Sequence, residues 1–243
     1  MILASKWTRL LAGGTLTMAL AGAAVAGPVV VRSTGPSAKV YPAGRQLADN
    51  AQLTLKAGDA VILLDARGTR TVAGPGTFPA VATGTRAGVA QAASRIISNQ
   101  SNAERRGGAV RGGTATASVR SPNLWLVDLS KSGTVCVADP NAVRVWRPAT
   151  SSPAEGTVTA ASGSGTIAMV SGAAIAEWPK SVPVTNGGEY TVSLNGSAPA
   201  KIKFATVSAP ASLEDTAAML IAKGCKTQLD LLIAATSAGG GGG

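Results

Sequence analysis

The chain has 243 residues, a formal net charge of +10, no histidine and only 3% aromatic residues. Without an imidazole, Ser-His-Asp and Cys-His catalytic arrangements and the commonest metal ligand are excluded. So few aromatic side chains also leave no base-stacking platform, and no nucleic-acid partner is expected despite the basic balance.

Residues 1–26 read as a cleavable secretory signal peptide. Lys6 and Arg9 make a positive start, and residues 10–20 form an apolar stretch interrupted by Gly13 and Gly14. Ala24-Val25-Ala26 fits the small-x-small rule and places the cut before Gly27. The alternative is a retained anchor, but a spanning helix needs about 20 strongly apolar residues. This run is shorter and rich in Ala, Gly and Thr. No Cys follows it, so a lipid anchor is not indicated, and no later segment is apolar for long enough to span a bilayer. The expectation is a periplasmic or secreted protein of a Gram-negative envelope, with no transmembrane helix after cleavage. Taking Lys6 and Arg9 away with the peptide leaves +8 on 217 residues. Such a charge suits anionic partners such as lipid headgroups, acidic glycans or nucleic acid, but a soluble protein with a basic surface is the simpler and preferred reading. The partner expected is another envelope protein or an anionic envelope component.

Residues 27–81 carry short β-like runs at 28–32, 38–41, 52–56, 60–64 and 69–72. Thr34-Gly35-Pro36, Ala57-Gly58-Asp59 and Ala66-Arg67-Gly68 punctuate them. Strands separated by such turn residues predict a small β-module. Gly74-Pro75-Gly76-Thr77 lacks the Lys and helix of a phosphate loop and reads as a tight turn leaving a strand.

Residues 82–122 change character. Arg86, Arg95, Arg105, Arg106, Arg111 and Arg120 face a single acid, Glu104, with Gly107-Gly108 and Gly112-Gly113 between them. A short helix over 87–97 is expected within an otherwise basic linker. Two readings stand: a solvated connection, or an electrostatic contact to an anionic glycan or lipid surface through the arginines.

Residues 123–208 are again β-rich, with strands expected at 124–129, 134–138, 142–146, 156–160, 166–170, 174–178, 189–194 and 202–206. Asn195-Gly196 is expected to close a hairpin between the last two. Strands recurring every 8–12 residues or so predict a β-sandwich-like domain.

The hydrophobic period then changes from two to that of a helix, and residues 209–236 read as a helical hairpin packed on that domain. Ser212 is the cap of the first helix, Glu214 and Asp215 complement its positive end, and Leu213, Ala217, Leu220 and Ile221 form its apolar face. Gly224 stops it. A second helix over 226–235 carries Leu229, Leu232 and Ile233 on one side. Residues 237–243 are a flexible Gly-rich tail, native or added. The fold class expected is therefore mainly β, with a small N-terminal module, a sandwich-like domain and a C-terminal helical hairpin.

The two cysteines, Cys136 and Cys225, allow one intramolecular pairing, which an oxidising compartment favours. Free thiols or half of a metal site are the alternatives, and the absence of histidine makes a poor ligand set. No metal, cofactor or catalytic group is assigned. Asp59, Asp65, Asp128 and Asp139 stand beside turns, where their carboxylates have turn chemistry to do. Ser130-Lys131-Ser132 resembles a Ser/Lys dyad only superficially, because it lies in a Gly-ended turn. Trp125, Trp146 and Trp178 fall on or at the ends of strands, where core or rim packing competes with an aromatic ligand-binding face.

The stretch Ala43-Gly44-Arg45-Gln46-Leu47, then residues 55–65 with Gly58-Asp59 at their turn, then Gly68-Thr69-Arg70-Thr71-Val72, resembles the FecR-type periplasmic β-module. The resemblance covers about residues 28–80. Full-length proteins of that family relay envelope signals through a membrane helix and a cytoplasmic anti-sigma segment. This chain has a signal peptide in their place, so the resemblance implies only an interaction domain. The function expected is a non-enzymatic binding or scaffolding protein in envelope signalling or assembly, and an envelope hydrolase is the least favoured alternative.

Overall fold

A computed structural model describes residues 27–82, 93–94, 96–97, 120–148 and 151–237. Residues 1–26, read above as a signal peptide, residues 238–243 of the expected tail and most of the expected basic linker lie outside the described residues. Of the helix expected over 87–97, residues 93, 94, 96 and 97 are described, and they are helical.

The molecule is mainly β, with two helices at its C-terminal end. In the first unit β1 (Val29–Thr34) pairs antiparallel with β3 (Ala60–Asp65), which pairs antiparallel with β4 (Gly68–Ala73). A separate ribbon joins β2 (Gln52–Leu55) to β5 (Gly76–Pro79). Val30, Leu53, Leu55, Val61, Leu63 and Val72 close the unit's own core. On the opposite face of the β1–β3 sheet, Val29, Val31 and Leu64 enter a second core shared with the helices. Burial on both faces explains why residues 29–31 and 60–64 are unbroken apolar runs rather than alternating ones.

Two expectations in this unit are corrected. Residues 38–41 do not form a strand: Pro36–Lys39 is a 3-10 turn, and the N–H groups of Val40 and Tyr41 both donate to the Ser37 carbonyl. The reason is a clip that alternation does not reveal. Asp59 Oδ1 accepts from the Ser37 N–H at 2.8 Å, and Gly35 stands at φ 95° with Asp59 so close that a Cβ would sit 2.5 Å from the Gly58 carbonyl oxygen. Nor does Gly74-Pro75-Gly76-Thr77 simply leave a strand, since Gly76 opens β5, which the sequence reading lacks. Thr77 and Phe78 pair with Thr54 and Leu53.

The second unit holds two sheets around one core. The larger has the order β10-β9-β12-β13-β7, with β7 Gly133–Val137, β9 Ala154–Ala160, β10 Gly163–Met169, β12 Glu189–Leu194 and β13 Ala200–Thr206. The smaller has the order β11-β8-β6, with β6 Leu126–Asp128, β8 Arg144–Trp146 and β11 Ile175–Glu177. Val127 and Val145 from the smaller sheet meet Val158, Ile167, Val192, Ile202 and Phe204 from the larger one. Trp178 stands edge-on to Tyr190 and Phe204, with ring centroids 5.4 and 5.2 Å away. The Asn195-Gly196 hairpin joins β12 to β13 antiparallel, with Gly196 at φ 80°. β7 joins the sheet by parallel pairing with β13.

Helix α1 (Leu213–Lys223) starts at Ser212, whose hydroxyl accepts from the Asp215 N–H, and ends at Gly224 with φ 72°. Helix α2 (Lys226–Ser237) follows at once. The pair packs on both β-units rather than on the second alone. Ala217, Leu220, Leu229 and Leu232 share one core with Val29, Val31 and Leu64 of the first unit and with Leu124, Cys136 and Val207 of the second.

Candidate functional site

The hairpin meets the second unit at β7. Cys136 on this strand is bonded to Cys225 at the joint between the helices, with Cα atoms 5.8 Å apart. Beside it the buried Gln228 treats β7 as a neighbouring strand would. Its Oε1 accepts from the Cys136 N–H at 2.7 Å, and its Nε2 donates to the carbonyls of Cys136 at 2.8 Å and Leu124 at 2.9 Å. One side-chain amide thereby closes part of a sheet edge that backbone pairing leaves open.

The rest of that edge stays open. Cys136 faces the helix, and strand residues alternate, so the N–H and C=O of Thr134 face outward as well. Among the described residues nothing hydrogen-bonds them. Opposite lies β6, the edge of the smaller sheet. Between the two edges is a cleft of about 470 Å³, walled by Thr227, Asp230 and Leu231 of α2. Leu124, Leu126 and Val135 give it an apolar floor, and Arg120, Asp128 and Lys131 stand at its rim. The clefts of peptide-binding domains combine these features: a strand edge, an apolar floor and polar walls.

The polar rim is partly engaged within the protein. Asp128 Oδ1 accepts from the N–H and hydroxyl of Ser130 at 2.9 and 2.6 Å. Asp230 is ion-paired with Arg32 at 2.6 Å. The Ser132 hydroxyl accepts from the Lys201 N–H at 3.0 Å. Lys131 and Lys201 have no ion-pair partner among the described residues. The arrangement can hold an extended backbone at Thr134 and surround it with charge.

Of the residues singled out in the sequence, Cys136 and Cys225 form the disulfide, and Arg120 lines the cleft. Arg86, Arg95, Arg105, Arg106 and Arg111 lie outside the described residues. The turn aspartates do turn chemistry: Asp65 accepts from the Arg67 N–H at 2.8 Å and Asp139 from the Asn141 N–H at 2.9 Å. Trp125, Trp146 and Trp178 are buried. Among the described residues, no three or more Cys, Asp and Glu side chains gather as a metal site, and no helix is long and apolar enough to cross a membrane.

Sequence reasoning missed the cleft and Gln228. A signal for the latter existed: Gln228 lies one helical turn before Leu232 on the apolar stripe, and a glutamine there must find partners inside. No protein-family model, curated protein or solved structure matches the chain.

Proposed function

We propose that the protein is a non-enzymatic binding protein of the bacterial envelope that takes an extended segment of a partner protein along the open edge of β7. The observation that carries this reading is the outward-facing backbone of Thr134 above the apolar floor of the cleft. An added strand satisfies that backbone and places every second side chain over Leu126 and Val135. The disulfide is compatible with an extracytoplasmic location. The likeness of residues 28–80 to the FecR-type module adds a role in envelope signalling or assembly, with the first unit as a further interaction domain.

The test is selection of displayed random peptides against the wild-type protein and two variants. Thr134→Pro removes the outward N–H without taking a bond from the β7–β13 ladder. Leu231→Lys places a charge in the cleft wall. Peptides enriched on the wild-type protein are expected to lose binding to both variants while the variants keep the wild-type melting curve to within a few degrees. Equal binding to all three proteins, or no enrichment at all, overturns the reading.

A further inference from the structure

The inference rests on the strand-addition reading and concerns the chemistry of the segment that β7 accepts. Parallel pairing sets Lys203 level with Thr134 and Phe204 level with Val135. Paired residues share a face, so Thr134 shares the exposed face of β13 with Lys201 and Lys203, whereas Val135 faces the core with Ile202 and Phe204. A strand laid beside β7 inherits that division. Its inward side chains cover the mouth of the cleft, where Leu124, Leu126 and Val135 form the floor. Its outward side chains lie on the face that carries Lys201 and Lys203, beside the turn that carries Lys131.

The charges at this edge are unequal in what they have left to offer. The two acids at the rim, Asp128 and Asp230, are held by Ser130 and Arg32. Lys203 is ion-paired with Glu189 at 3.2 Å. Lys131 and Lys201 have no such partner among the described residues, and the whole chain carries +10. Asp128 keeps its charge while accepting from Ser130, but it stands against Lys131 and Lys201. A basic partner therefore meets repulsion at long range and that one carboxylate at contact, whereas an acidic one is steered in and meets both lysines.

We infer that the edge of β7 selects an extended acidic segment in which apolar residues alternate with Asp or Glu, the apolar set entering the cleft and the acidic set lying along Lys131 and Lys201. Nothing about the apolar floor alone demands charge in the partner. The demand comes from the register that places lysines on the outer face beside the only stretch of β7 that Gln228 leaves open.

The experiment is fluorescence anisotropy with three labelled synthetic peptides of about eight residues, the length of an ordinary strand. One alternates Glu with Val, one alternates Lys with Val, and the third has the Glu and Val residues in separate blocks. The alternating acidic peptide is expected to bind the wild-type protein roughly tenfold or more tightly than either of the others, and to weaken as salt is raised. A Lys131→Glu/Lys201→Glu variant should reverse the preference between the two alternating peptides, while Thr134→Pro should remove binding of both. Equal affinity for the acidic and basic peptides, with Thr134→Pro still abolishing binding, overturns the inference and leaves strand addition standing. Binding of no peptide, or binding indifferent to Thr134→Pro, overturns both.

Discussion

The hairpin is fastened to its two β-units by different physics. Toward the first unit it offers mainly an apolar surface: Val29, Val31 and Leu64 pack among Ala217, Leu220 and Leu232. A buried hydroxyl contact between Thr69 and Thr236 and the exposed Arg32–Asp230 pair accompany that packing, and an exposed pair of this kind contributes little. Toward the second unit, beside apolar contacts with Leu124 and Val207, it adds a covalent bond to Cys136 and a buried amide bonded to the backbone of Cys136 and Leu124. The first unit presents a sheet face, which needs only area covered. The second presents a sheet edge, whose N–H and C=O groups need partners one for one. Where the partners run out, at Thr134, the edge is left open to the strand addition proposed above.

The comparison can be broken at each attachment, and the effects should descend in order. Cys136→Ala/Cys225→Ala opens a link between residues 89 apart. The chain-entropy model values it at roughly 4–5 kcal/mol. Urea unfolding should show a drop of that size, and the wild-type protein measured in reductant should approach the same curve. Leu220→Ala leaves a cavity in the shared core and should cost about 3 kcal/mol. It should also raise amide exchange in β1 and β3 more than in β12 and β13. Gln228→Leu keeps the packing volume but orphans the Cys136 N–H and the carbonyls of Cys136 and Leu124. A loss of about 2 kcal/mol is expected, with faster exchange at Cys136 as the local signature.

The smallest effect is confined to acid. Burial pushes the Asp59 carboxyl up, but hydrogen bonds from the Ser37 side chain and the Ser37 and Lys56 N–H groups, helped by the Lys56 charge, outweigh it and hold the pKa below its ordinary value. A carboxyl lowered on folding stabilises the protein above its unfolded pKa of about 3.9 and loses that contribution as pH falls through the folded value. Melting temperature should therefore decline more steeply below about pH 4 in the wild-type protein than in Asp59→Asn. Identical acid profiles would mean that the clip on the 3-10 turn does not couple to folding.

Periodicity made most of the fold legible. The strands of the second unit were readable because buried and exposed residues alternate: Gly156 and Val158 with Glu155, Thr157 and Thr159 in β9, and Ala200, Ile202 and Phe204 with Lys201 and Lys203 in β13. Ser212 and Gly224 marked the ends of the first helix by capping chemistry, and the spacing of Leu213, Ala217, Leu220 and Ile221 marked its body. What could not be read were contacts between residues far apart in the chain. Asp59 turns residues 36–39 into a helix turn from 22 positions away, and Gln228 closes an edge 92 positions away. β5 was hidden for a related reason: Gly76–Pro79 has little strand propensity of its own and exists because β2 pairs with it. The cleft belongs to the same class, since β6, β7 and α2 meet only in three dimensions. Two of its features were nonetheless visible: the net charge, and Arg120 at the end of the basic segment.

The most direct test of the account is an amide titration by NMR, adding the alternating acidic peptide to the isotope-labelled protein. The account predicts shifts that saturate together at Leu126, Thr134, Val135 and residues 227–231, and an outward Thr134 N–H that becomes protected from exchange. Shifts confined to the first unit or to β10, or an unchanged Thr134 amide at saturation, would contradict it.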